Sequence, residues 1–169
     1  MRIAIIGAGN VGSALGRAWL GSREDVIFGV LDPADPKYRS LPEEKMHTAP
    51  EAARGAEIIV LATPWPATEA AVKSLGDLSG KIVIDCTNPL GMGPDGLQLV
   101  LGHTTSGGEQ VASWAPAAAV FKTLNQIGAE NMDRAALFPV RPVMWIDQAL
   151  NRGRGQNFGF AITSRSGAA

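Results

Sequence analysis

Apolar residues in this chain come in two textures. Short, mainly apolar runs occupy residues 3–6, 25–31, 57–62, 81–85 and 117–123, each rich in Val, Ile, Leu or Ala. Continuous rather than alternating apolar character suits a parallel strand covered on both faces. Between these runs, apolar residues recur at helical spacing. Val11, Leu15, Ala18 and Trp19 form one such set, and Ala71, Val72 and Leu75 another within residues 67–75. Two short helices are expected over residues 50–55 and 108–114, with Glu109 near the second N-terminus, where the dipole favours an acid. Residues 45–48 suit a short edge strand, and residues 141–146 a further strand, with Pro142 placing it at a first position or an edge. Strands alternating with helix-length crossovers predict an α/β fold of Rossmann type. That is a doubly wound, mainly parallel sheet in a single domain over residues 1–147. Residues 91–108 read as a long glycine-rich connection of little periodicity. Residues 148–169 are rich in Arg, Gly and Ser, and read as a loose tail with at most a weak strand at 158–162.

Composition narrows the partners. The 169 residues suffice for one domain with a real core, and a formal net charge of −1 provides no electrostatic footprint for nucleic acid or an anionic membrane. No apolar stretch approaches the roughly 20 residues that span a bilayer. The single cysteine, Cys86, excludes an intrachain disulfide framework and a cysteine-cluster metal site, and fits a reducing cytoplasm. Neither His47 nor His103 stands at ligand spacing from another histidine, so no metal site is expected. A small-molecule partner is the expectation.

Candidate chemistry gathers where strands end. The first run leads into Gly7, Gly9, Asn10, Val11 and Gly12, a G-x-G-x-x-G between a predicted strand and a predicted helix, the context a dinucleotide-binding turn requires. Gly7 turns the chain, Gly9 admits a pyrophosphate, Gly12 lets helix and strand approach, and the helix N-terminus offers N–H groups to phosphate. Asp32 lies 20 residues past Gly12, where an acid meets the ribose hydroxyls, although Asp-Pro is equally a turn. Lys37 and Arg39 follow, as ligands for a ribose 2′-phosphate or as solvated loop charges. Later strands end in Thr63, Pro64 and Trp65, in Thr87 and Asn88, and in Asn125. In open α/β sheets ligands lie along that edge. Trp65 is expected either to flank a nicotinamide ring or to pack a helix on the sheet. No Ser/His/Asp, Lys/His or metal constellation stands out, so no catalytic side chain is assigned.

Four stretches in this order carry a more specific signal: Ile-Gly-Ala-Gly-Asn-Val-Gly, Leu-Ala-Thr-Pro-Trp, Ile-Asp-Cys-Thr-Asn-Pro-Leu, and Phe-Lys-Thr-Leu-Asn followed by Ile-Gly-Ala-Glu-Asn-Met. Over residues 1–145 the chain resembles the NADPH-dependent reductases of the deazaflavin coenzyme F-420. The resemblance implies pyrophosphate contacts from residues 9–12, nicotinamide contacts from Pro64 and Trp65, and a meeting place of two cofactors at Thr87, Asn88, Pro89, Leu90 and Asn125. It implies NADP (or NAD) and coenzyme F-420 as cofactors, with hydride transfer performed by the cofactors themselves. It also implies a homodimer, with a closing segment after the sheet. Two departures stand out. Leu31 occupies the place where such enzymes commonly carry an arginine for the 2′-phosphate, and the ending turns into the Arg/Gly tail. A related reductase of an imine, a ketone or ferric iron, and a non-catalytic NAD(P)-binding module, are the alternatives.

Overall fold

The computed structural model describes residues 1–101, 104–134 and 145–149. The N-terminal run is strand β1 (Arg2–Ile6), followed by helix α1 (Asn10–Trp19) and β2 (Asp25–Val30). A 3-10 turn at Pro36–Tyr38 and a second at Glu43–Lys45 precede the short β3 (Met46–Thr48) and α2 (Ala49–Arg54). Then come β4 (Ile58–Leu61), α3 (Trp65–Ser74) and β5 (Ile82–Asp85). The chain continues through β6 (Leu90–Gly93), β7 (Gly96–Leu99), α4 (Gly107–Trp114), β8 (Ala119–Lys122), α5 (Ala129–Met132) and β9 (Asp147–Ala149).

Seven strands form one sheet in the order β3-β2-β1-β4-β5-β8-β9. Six run parallel, and β9 joins β8 antiparallel, with Lys122 opposite Asp147. Side chains of β1 alternate between two cores. Ile3 and Ile5 pack with Ala14 and Leu15 of α1, whereas Ala4 and Ile6 pack with Ala49, Ala52 and Ala53 of α2. A strand covered on both sides has no place for an unpaired polar residue, which is why these runs are mainly apolar. The second core continues under α3 and α4 through Val72, Leu75, Val111 and Ala112. The expected Rossmann-type, mainly parallel sheet with helices on both faces is therefore the observed one.

Two local expectations change. Residues 91–108 are not one irregular connection: Leu90–Gly93 and Gly96–Leu99 pair antiparallel as a separate two-stranded hairpin. Gly96, at φ +105°, makes its turn possible, because a side chain at that angle meets the backbone. Leu90, Met92, Leu97 and Leu99 stay exposed on the hairpin, so no buried face imposed a period that the sequence could reveal. Helix α3 also starts two residues earlier than expected, because Pro66 is well placed in a first helical turn. The strand expected at 141–146 lies mostly outside the described residues, as do His103 and the weak strand at 158–162. Trp145 and Ile146 are described and lead into β9, which runs from residue 147 into the segment read as tail.

Candidate functional site

Strand order reverses between β1 and β4. From β1 the chain winds outward through β2 and β3, then returns to β4 on the other side of β1. A crevice opens outside the carboxyl ends of strands at such a switch point. Here a cleft of about 920 Å³ lies there, lined by Gly7, Gly9, Asn10 and Val11, by Leu31, Lys37 and Tyr38, and by Thr63, Trp65, Thr87 and Asn88 among others. That volume is at the upper end of the range for small-molecule and cofactor sites, about 300–1,000 Å³.

One end is made of backbone. Gly7 stands at φ +96°, and a Cβ there would lie 2.7 Å from the Ala62 carbonyl oxygen. A Cβ on Gly12 would stand 1.9 Å from the Gly7 carbonyl oxygen, so only glycine lets α1 fold back against the turn. Gly9 differs: a Cβ built there meets no protein atom within 4 Å and would project into open space. It is the N-cap of α1, and its carbonyl accepts the Ser13 N–H at 2.9 Å. The N–H groups of Asn10, Val11 and Gly12 therefore face the cleft end of the helix with no carbonyl one turn back to receive them.

Beyond β2 lies a different surface. Leu31 is 98% exposed and lines the cleft. Asp32 follows it, but its carboxylate accepts the Ala34 N–H at 3.0 Å, and it is not part of the lining. The turn reading of Asp-Pro is thus the one the geometry favours. Lys37 does line the cleft, its Nζ 2.5 Å from Asp35 Oδ2 and 4.8 Å from the centre of the Tyr38 ring. Hydrogen bonds between this pair hold the Asp35 carboxyl below, and the Lys37 ammonium above, their usual ranges. Arg39 is exposed and does not line the cleft.

The opposite end is built from side chains. Thr68, fully buried, donates to the Pro64 carbonyl at 3.1 Å and so accepts from Thr63 Oγ1 at 2.9 Å, which fixes the exit of β4. Trp65 opens α3, lines the cleft and packs on Trp114 with ring centroids 5.5 Å apart. The packing role is thus observed, with part of the ring left on the cleft wall. At the end of β5, buried Asp85 accepts the Thr87 N–H at 2.8 Å and the Thr87 hydroxyl at 2.7 Å. Lys122, from the end of β8, pairs with the other Asp85 oxygen at 3.0 Å and donates to the Thr87 carbonyl. Neither Asp85 nor Lys122 was singled out from sequence, because their partnership spans 37 residues; only the parallel pairing Asp85↔Lys122 brings them together.

Cys86, next to Asp85 in sequence, is buried and part of the lining, its thiol pushed up to about 12 by burial and then by the Asp85 carboxylate, with Lys122 opposing. Asn125 Nδ2 donates to Asn88 Oδ1 at 3.2 Å, joining two of the predicted polar strand ends. Pro89, Leu90 and Asn125 border this end without lining the cleft, and Gly12 sits buried beneath the glycine turn. Among the described residues, no group of three or more His, Cys, Asp or Glu is arranged to hold a metal, and no helix is long and apolar enough to cross a membrane.

A switch-point cleft with a glycine cradle at one end and polar strand ends at the other is the arrangement of a Rossmann-type dinucleotide-binding domain. Residues 2–89, just over half of the chain, match the family described as NADP oxidoreductase, coenzyme F420-dependent, and the chain belongs to that family. It is similar to the crystal structure of a candidate F420-dependent NADP-reductase from Arthrobacter sp. FB24, at 29% identity and a TM-score of 0.78, covering 88% of this chain and 73% of that one. A hypothetical protein of Sinorhizobium meliloti is similar at 27% identity and a TM-score of 0.69, covering 80% and 66%. A curated relative, the glycerol-3-phosphate dehydrogenase [NAD(P)+] of Nitratidesulfovibrio vulgaris, is 34% identical over 137 residues. That match takes in 71% of this chain and 40% of the dehydrogenase, so the chain spans well under half the length of that relative.

Proposed function

We propose that this chain binds NADP(H), with NAD(H) as the weaker alternative, and exchanges a hydride between it and the deazaflavin coenzyme F-420. The observation that carries the reading is the continuity of one cleft from the glycine cradle to the paired strand ends at Thr87 and Asn88. Gly9 supports the fit, because its missing Cβ leaves open the space that a pyrophosphate needs. In this reading the N–H groups of Asn10, Val11 and Gly12 hold the pyrophosphate, and Gly7 shapes the turn. Leu31 and Lys37 face the adenosine ribose, with Asp32 beside them.

Thr63, Pro64, Trp65 and Thr87 flank the nicotinamide, while Asn88, Pro89, Leu90 and Asn125 border the entry of the second coenzyme. The nicotinamide and deazaflavin rings supply the redox chemistry when bound. The protein's share is orientation and exclusion of water: Trp65, backed by Trp114, walls one side, and the Asp85–Lys122 pair fixes Thr87. No side-chain nucleophile takes part, and Cys86, protonated at neutral pH, is unsuited to be one. The reading includes a homodimer, a cytoplasmic location and a dinucleotide domain at 1–147, which β9 carries on to Ala149, ahead of the remaining Arg/Gly/Ser-rich residues. Light scattering, cell fractionation and limited proteolysis test these three.

The deciding experiment is anaerobic mixing of NADPH with oxidised deazaflavin. Bleaching of deazaflavin absorbance faster than in protein-free buffer is expected. Tight dinucleotide binding without bleaching would leave a binding module, and NADPH oxidation only with imines or ketones would transfer the chain to another substrate class.

A further inference from the structure

Lys37 is the one charged side chain in the described lining of the cleft, and its charge is already engaged. Asp35 grips it twice. Oδ1 accepts the Lys37 backbone N–H at 3.0 Å as N-cap of the 3-10 turn, and Oδ2 takes the ammonium at 2.5 Å. The Tyr38 ring lies under the same ammonium. A ribose 2′-phosphate approaching this end of the cleft must compete with Asp35 for Lys37, whereas a ribose 2′-hydroxyl makes no such demand. Leu31, exposed beside it, has no donor to offer instead.

From this arrangement we propose that Asp35 determines dinucleotide specificity: as counter-ion of Lys37, it weakens recognition of the 2′-phosphate and leaves 2′-hydroxyl dinucleotides unaffected. The inference rests on the reading of the cleft as a dinucleotide site. The chain then accepts both dinucleotides with a narrow preference, set by competition between two anions for one ammonium.

Calorimetric titration of the full chain with NADPH, NADH, adenosine 2′,5′-bisphosphate and 5′-AMP tests it. Asn at position 35 still accepts the Lys37 N–H, so Asp35→Asn removes the charge and keeps the cap. It is expected to tighten NADPH and adenosine 2′,5′-bisphosphate by about two- to fivefold, the scale of an exposed ion pair. NADH and 5′-AMP should not change. Lys37→Met should loosen NADPH selectively, and in the Lys37→Met background Asp35→Asn should have no further effect. An unchanged NADPH-to-NADH ratio in Asp35→Asn overturns the proposal. So does an equal gain in the Lys37→Met background, which would mark a long-range charge effect. If the unaltered chain binds neither dinucleotide, the reading of the cleft fails and this inference fails with it.

Discussion

The two ends of the cleft are built by opposite means. At the cradle, three glycines do their work through missing atoms: two allow backbone to pass within contact distance of backbone, and the third leaves space vacant. Around Thr87 the same precision comes from added groups, a fully buried carboxylate, an ammonium from another strand, and a pair of indoles. The first device is local, complete within a dozen residues. The second is assembled across the sheet and depends on register. Substitutions at the cradle should therefore act through collision, and those around Thr87 through loss of a partner.

Loss of a partner gives the largest expected effect. Lys122→Met strands the Asp85 carboxylate in the interior, and urea unfolding should show a loss of about 3–5 kcal/mol. Adding Asp85→Asn should recover part of that loss; equal instability of single and double variants would show that the pair does not act as a unit. Next is Gly12→Ala, whose Cβ collides with backbone that cannot yield. A cost of about 1–3 kcal/mol is expected in the same assay, with dinucleotide binding abolished.

Gly9→Ala separates binding from folding. The fold should hold to within about 1 kcal/mol, since the Cβ meets only open space, while NADPH affinity measured by calorimetry falls by about tenfold or more. Unchanged affinity would mean that the pyrophosphate does not lie there. The effect of Cys86 is nil at neutral pH and emerges only in alkali. Its folded thiol titrates near 12 against an ordinary 9.0, so below pH 9 both folded and unfolded states are protonated and stability is indifferent to it. Above pH 9 the unfolded state ionises first, and stability falls as pH rises, by up to about 1.4 kcal/mol per pH unit. Cys86→Ala should unfold with a shallower slope between pH 9 and 11, and identical slopes would contradict the burial of the thiol.

What the sequence disclosed follows the same division. The strands were legible because burial on both faces leaves unbroken runs, as in residues 3–6. The cradle was legible because glycine is recognisable by type and spacing, and residues 31, 63–65, 87, 88 and 125 could be placed at one edge by topology alone. Orientation was not legible. Nothing in Asp32 tells whether its carboxylate meets a ligand or the Ala34 amide, since one residue type serves both. The hairpin at residues 90–99 was hidden because its apolar side chains face outward. Asp85 and Lys122 were visible as letters of two motifs, but the bond between them belongs to the register of β5 against β8.

That register also sets an order of assembly. The strands β2, β1 and β4, which frame the cradle, pair within the first 61 residues. The anchor of Thr87 waits for residue 122. On a ribosome, the cradle can thus close while Asp85 is still without its counter-charge, and a carboxylate in that position resists burial until the lysine arrives. Docking of β8 becomes the step that commits the distal half of the sheet, a late latch placed by the chain's own arithmetic.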